Sequence, residues 1–353
     1  MISRAKQIGA FSAVVALAAL TGVAIWLTSG PWVASKRLDR VMGTEARLVA
    51  VVGPGEEAVA ERAFADAEKA LRSVEARMSR RIEASEVGRF NAAPAGERVE
   101  LSSDTLAVLA ASRELHEATG GAFDATCLPI LRAWAEAGGA GRLPEPAALA
   151  QARAASNWAY IDFDEAGAVK HCGSAGVDLG GIAKGCGIDR AVAAMQDAGI
   201  RGGLVDVGGD VRCFGRPVEG DRWPVAVLSP FDDGPLAHLA LRGGAVCTSA
   251  HYARFTEIDG VRYSHIVDPR PGPEAGMALR ADIAPASVTV HAPTAMTADG
   301  WATALSVLGK AGLARLPAGI EAMVVTGGAG DYKVHMTAGF EALLDGPVRR
   351  PGE

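Results

Sequence analysis

The sequence predicts an α+β fold, and three observations carry that reading. Two long helical patterns fill residues 54–79 and 102–121, and strand patterns dominate from Gly203 onward. The two types do not alternate in the βαβ rhythm of a Rossmann fold. The 353 residues are 49% hydrophobic and 22% charged, enough for a good core. A formal charge of −6 argues against a nucleic-acid binder, which carries a basic stripe, but not against a local site for a small anion.

The first expected element is an apolar N-terminal helix. "MISRAK" supplies two cations, and residues 8–27 run without a charge, long enough to span a bilayer. Basic residues ahead of the run favour a cytoplasmic N-terminus and delivery of the remainder across the membrane. Ala34 and Ser35 are small enough for cleavage near "WVASK", while Trp32 makes that site poor. Residues 1–35 are therefore expected as a cleaved signal or a retained anchor, and residues 36–350 as one domain. No Cys follows the run closely, so a lipoprotein anchor is not indicated.

After a short linker, "RVMGTEARLVAVVG" reads as a strand in which Ala46, Leu48, Ala50 and Val52 alternate with their neighbours. Pro54 and Gly55 then open the first long helix, with acids in its first turn. Ser102 or Ser103 caps the second, and the Gly120–Gly121 pair stops it. "LPEPAALAQARAAS" starts a weaker third helix, and 158–178 reads as short strands and a turn. "GIAKGCGIDRAVAAMQDAGI" is a helix ended at Gly199. "GGLVDVGGDVRCFG", "WPVAVLSP", "HLALRGGAVCTSA", "YSHIVDP" and "ASVTVHAP" are strands. "TAMTADGWATALSVLGKAGL" is a further helix, and "EAMVVTGGAGDYKVHMT" closes the chain as a hairpin.

Four stretches carry chemistry. "DLGGIAKG", residues 178–185, sets Asp178 and Lys184 beside bare backbone at a helix start, where exposed N–H groups attract anions. Its spacing is neither a P-loop nor G-x-G-x-x-G, and the plain alternative is a tight strand-to-helix turn. In "TADGWATALSVLG", Asp299 and Thr303 fall four apart on one helix face, an oxygen pair suited to a hard cation such as Mg²⁺. Its plain alternative is a helix cap by Thr297 or Asp299. "YSHIVDPRPG" places His265 and Asp268 at a strand end, where a His near neutral pKa is the usual general base. "TGGAFDATCLPILRAW" puts Phe123 and Asp124 in a loop that either lines a ring-shaped ligand or covers the core. The five cysteines (Cys127, Cys172, Cys186, Cys213, Cys247) show no C-x-x-C and no His/Cys cluster, so no zinc site is expected. Most read as small buried residues.

Taken in order, "MGT" at 42–44, "MSRRIEASEVGRFN", "TGGAFDATCLPILRAW", "DLGGIAKG", "VDVGGDVRCFG", "SHIVDP" and "ADGWATALSVLG" resemble the ApbE family of exported FAD:protein FMN transferases, over roughly residues 40–345. The resemblance implies a T-fold-like architecture of mixed and antiparallel sheets with packed helices. It also implies Mg²⁺-dependent transfer of FMN from FAD to a Thr or Ser hydroxyl of an acceptor protein, with AMP released. By position, Met42, Ala122, Phe123, Asp124, Asp178, Lys184 and Ile266 are expected to contact FAD. The Gly181 carbonyl, the Asp299 carboxylate and the Thr303 hydroxyl are expected to hold magnesium. Asp206 and Asp210 match the family's "GGD" turn beside the diphosphate. His265 is the candidate for accepting the hydroxyl proton, with Asp268 to orient or replace it. The expected acceptor is a subunit of a membrane redox complex, and the expected location is periplasmic or on the inner membrane. Arg81, Ala250 and Pro271 depart from the family pattern at an aromatic, a Gly and a Thr. Two other readings fit the same residues: hydrolysis of FAD to FMN and AMP, and a non-catalytic FAD-binding maturation factor.

Overall fold

A computed structural model describes residues 30–250, 255–272 and 274–352. The expected N-terminal apolar helix lies outside the described residues. Among those described, no helix is long and apolar enough to cross a membrane.

The chain begins with a hairpin of β1 (Trp32–Val41) and β2 (Thr44–Val52), turned at Met42 and Gly43. Residues 32–35, expected in the signal or anchor segment, and the linker at 36–39 are thus most of a strand. They escape recognition because β1 buries only Leu38 and Val41 fully and shows its charged residues to solvent. Three helices follow: α1 (Glu57–Met78), α2 (Glu86–Ala92) and, after the short β3 (Arg98–Val99), α3 (Ser103–Thr119). The periodicity of α1 is plain: Ala60, Ala63, Phe64, Ala67, Leu71, Val74 and Met78 make one buried stripe. Ser102 caps α3, accepting from Thr105 N–H, and Gly120 ends it at φ 63°. Next come α4 (Leu128–Gly139), α5 (Pro146–Ala155), β4 (Ile161–Asp164), β5 (Gly167–Lys170) and α6 (Ala183–Asp197).

The second half is mostly strand, as expected: β6 (Gly202–Val207), β7 (Asp210–Phe214), β8 (Trp223–Leu228), β9 (Pro235–Leu241), β10 (Gly244–Ala250), β11 (Phe255–Ile258), β12 (Val261–Val267), β13 (Ala278–Arg280) and β14 (Ser287–Ala292). The helix α7 (Ala295–Leu308) follows, then β15 (Glu321–Thr326), β16 (Lys333–Met336) and the one-turn α8 (Ala338–Glu341).

One eight-stranded sheet, ordered β1-β2-β6-β7-β10-β14-β15-β16, organises the fold, and every neighbouring pair in it is antiparallel. Both of its faces are covered. Alternation along β2 turns Leu48 and Ala50 into the main core, where α1, α6 and α7 pack. Val49 points the other way, into a second core roofed by the β8–β9 hairpin. A third cluster joins α4 and α5 to the β11–β12–β13 sheet through Ile130, Trp134, Tyr263 and Val267. All five cysteines are free, and Cys186, Cys213 and Cys247 are buried.

Candidate functional site

A cavity of about 1310 Å³ opens where the turn between β1 and β2, the turn between β6 and β7, the start of α6, the end of β10 and the end of β12 meet α7. Sites for drug-sized ligands run to about 300–1,000 Å³, so this one has room for a dinucleotide. Of the residues expected at the site, all line it except Asp210 and Asp268. Met42 sits in the tight β1–β2 turn at φ 53°, an unusual angle for a residue with a side chain, and thereby faces the cavity.

The junction of α6 and α7 sets the central geometry. Thr303 donates its hydroxyl to the Gly181 carbonyl at 3.3 Å. One turn earlier on the same face, Asp299 Oδ2 accepts the Gly185 N–H at 2.9 Å. The two helices touch there, since a Cβ on Gly185 would stand 2.2 Å from the Ala295 carbonyl oxygen. Thr294, not Thr297 or Asp299, is the N-cap of α7. The cap reading of Asp299 is thus replaced by a long-range role, and its carboxylate is free to face the ligand cavity.

Charge is concentrated at this junction. Lys184, in the first turn of α6, pairs with Asp210 Oδ2, while Asp210 Oδ1 accepts the Thr248 N–H at 2.8 Å. Burial pulls the lysine's pKa down, but the carboxylates of Asp210 and Asp299 reverse this and hold it above its ordinary value. Asp299 is also raised, but by burial, which pushes its carboxyl up to about 7, with Asp210 adding to the rise and Lys184 opposing it. Burial also raises Asp206, whose side chain accepts the Gly209 N–H at 2.9 Å.

A second wall carries the Ala122–Asp124 loop. Asp124 Oδ1 accepts from the Thr126 N–H at 2.8 Å and hydroxyl at 2.7 Å, and Oδ2 lies 3.4 Å from His116 Nδ1. That carboxylate raises His116 above its ordinary pKa, against the effect of burial. Asp178 accepts from Gly180 N–H at 2.8 Å and pairs with Arg80 Nε at 2.5 Å. Arg80 was not singled out by the sequence. Its signal is the Arg80–Arg81 doublet, of which only Arg81 departs from the family pattern; both line the cavity.

The two candidate proton acceptors separate. His265 is on the exposed side of β12 and lines the cavity. Asp268 is buried behind it, held by the Arg270 N–H at 3.0 Å and by Arg270 Nε and Nη2 at 2.9 and 2.7 Å. With both oxygens committed to a guanidinium, Asp268 shapes the turn after β12 and is not placed to take a proton from a ligand.

The donor set fits a hard cation. No group of three or more His, Cys, Asp or Glu suited to a metal occurs among the described residues. A site here is therefore one carboxylate with a hydroxyl and a carbonyl, the set Mg²⁺ uses when ligand phosphates and waters complete its shell. Burial raises the Asp299 carboxyl even with Lys184 nearby, and a cation beside it would favour its ionised form.

Comparison with known proteins places the chain in a family. Residues 42–324 match the model of the ApbE family. An FAD:protein FMN transferase of Haemophilus influenzae is 32% identical over 288 residues, covering 77% of this chain and 80% of the relative. One from Klebsiella pneumoniae is 32% identical over 322 residues, covering 87% of this chain and 88% of the relative. The crystal structure of an ApbE protein from Thermotoga maritima superposes with a TM-score of 0.77 at 29% identity, covering 88% of this chain and 99% of that one. The flavin transferase ApbE of Vibrio cholerae gives 0.74 at 27%, covering 89% of this chain and 100% of that one.

Proposed function

The chain belongs to the ApbE family, and from that premise we propose that it transfers FMN from FAD to a Thr or Ser hydroxyl of an acceptor protein, with Mg²⁺ held at Gly181, Asp299 and Thr303. The observation that carries the metal reading is the convergence of the Gly181 carbonyl, Asp299 and Thr303 beside Lys184 in a cavity of dinucleotide size.

In the reaction a bond forms between the acceptor oxygen and the FMN phosphorus, and the bond from that phosphorus to the AMP oxygen breaks. The hydroxyl proton goes to His265, on the cavity wall. Such a transfer asks for positioning and charge neutralisation more than covalent help. Lys184, kept charged by Asp210 and Asp299, offsets the diphosphate and the departing AMP. Magnesium, when bound, supplies Lewis-acid polarisation of the phosphate oxygens. Met42, Ala122, Phe123 and Ile266 give apolar surface to the flavin or adenine ring. Asp178 is fixed by Arg80 and Gly180 to accept a ligand N–H or O–H.

The acceptor is proposed to be a membrane redox subunit met on the periplasmic side. The support is the cation-flanked apolar run at residues 8–27, read as an export signal or anchor.

The test uses the full chain, FAD, Mg²⁺ and an acceptor polypeptide, with intact-mass and AMP readouts. Transfer predicts an acceptor heavier by one FMN for each AMP released. AMP released without acceptor would favour hydrolysis, and FAD retained with no AMP under any condition would favour a binding role.

A further inference from the structure

Two carboxylates are exchanged between α6 and α7. Asp299, from α7, accepts a first-turn amide of α6, that of Gly185. In return Asp189, from α6, accepts the first two amides of α7: Ala295 N–H to Oδ1 at 2.8 Å and Met296 N–H to Oδ2 at 2.9 Å. Arg212 of β7 balances the charge, its Nη1 lying 2.6 Å from Asp189 Oδ1.

A helix start leaves four amides without partners, and a residue just ahead of the helix normally satisfies one. Thr294 does this for Thr297. The next two amides in need of an acceptor are met by a residue more than a hundred positions away. A cap reached from another helix fixes where α7 begins relative to α6, which a local cap cannot do. The axial position of α7 decides whether Asp299 and Thr303, one and two turns further along, meet the backbone of residues 181–185. The direct contact of Gly185 with Ala295 leaves no slack for a compensating slide.

We propose that Asp189 is a positioning residue for the divalent-metal site, setting the register of α7 on α6 so that the oxygens of residues 181, 299 and 303 converge. This rests on the reading of those three residues as the magnesium site, and the controls separate the two.

The experiment measures FAD binding to the full chain by flavin fluorescence as Mg²⁺ is titrated. Asp189→Asn keeps the side-chain shape but turns one acceptor into a donor. Ala295→Pro removes the amide that binds Oδ1, at a first helical position that suits proline, and so makes the same cut without touching Asp189. Both are expected to raise the half-saturating Mg²⁺ concentration by about 10–100-fold, the range for partners that orient metal ligands. FAD affinity without Mg²⁺ is expected to stay at the wild-type value. Asp299→Ala is the control: an unchanged Mg²⁺ response in that variant overturns the magnesium reading itself. If Asp299→Ala loses the response while both other variants titrate like wild type, the positioning role is overturned. An equal loss of FAD binding with and without Mg²⁺ in both variants overturns it too, because that would mark a general structural part.

Discussion

The Thr303 hydroxyl and the Gly181 carbonyl oxygen lie 3.3 Å apart, although 122 residues separate them in sequence. The contact joins the third turn of α7 to the loop that starts α6, and Asp299, one turn earlier on α7, binds the Gly185 amide of the same segment. Thr303→Val keeps the shape and removes the oxygen. It is expected to raise the Mg²⁺ concentration for half-maximal AMP release by at least about tenfold, by analogy with ligand-orienting partners, with Thr303→Ser close to wild type. A titration of AMP release against Mg²⁺ checks both.

Lys184 and Asp210 form a pair in which the carboxylate is almost fully buried, at 2% exposure of its side chain. Lys184→Met leaves that charge without its partner and should cost about 3 kcal/mol of stability, as cutting a buried pair does. Adding Asp210→Asn should recover most of that stability in urea denaturation. It should not recover transfer, expected to stay down on the order of 10²-fold for want of the cation facing the phosphates.

His116 gives a pH signature. Its pKa is raised above 6.5 in the folded chain, chiefly by Asp124. A group with a raised folded pKa contributes stability that is fully present below its unfolded pKa and disappears as pH climbs through the folded one. The Tm difference between wild type and His116→Gln is therefore expected to be largest near pH 5.5 and to shrink by pH 8.5. A difference that grows with pH would mean that the His116–Asp124 pair does not act this way.

Gly185 tests the contact between the helices. A methyl group there meets main-chain atoms of Ala295, which have nowhere to retreat. Gly185→Ala is expected to cost about 3 kcal/mol, the upper end for overpacking, and to weaken the Mg²⁺ response as α7 moves off α6. Gly139→Ala, at a position with nothing within 4 Å, is the matched control and should be close to neutral in thermal denaturation.

Much of this was legible in the sequence because the informative residues sit in short local signals. Glycines, one lysine and one aspartate in "DLGGIAKG" mark a helix start with exposed backbone, and the i, i+4 spacing of Asp299 and Thr303 already puts both on one face. The stripe of α1 and the alternation in β2 likewise follow from period alone. What stayed hidden depends on partners far along the chain or on local competition. Asp189 reads as a surface helix residue until α7 arrives above it. Asp268 looked like a companion to His265, yet Arg270, two residues on, takes its carboxylate. Strand β1 is hard to read because "SKRLDR" carries four charges in six residues and buries few of them.

The central claim is that Asp299, Thr303 and the Gly181 carbonyl hold a magnesium ion needed for FMN transfer. Its most direct test is intact-mass measurement of an acceptor polypeptide after incubation with FAD and either the wild-type chain or Asp299→Ala, across a Mg²⁺ series. The account predicts that wild type adds one FMN only when Mg²⁺ is present, and that Asp299→Ala adds none at concentrations saturating for wild type. An Asp299→Ala chain that modifies the acceptor at the wild-type rate, with the same Mg²⁺ dependence, would contradict it.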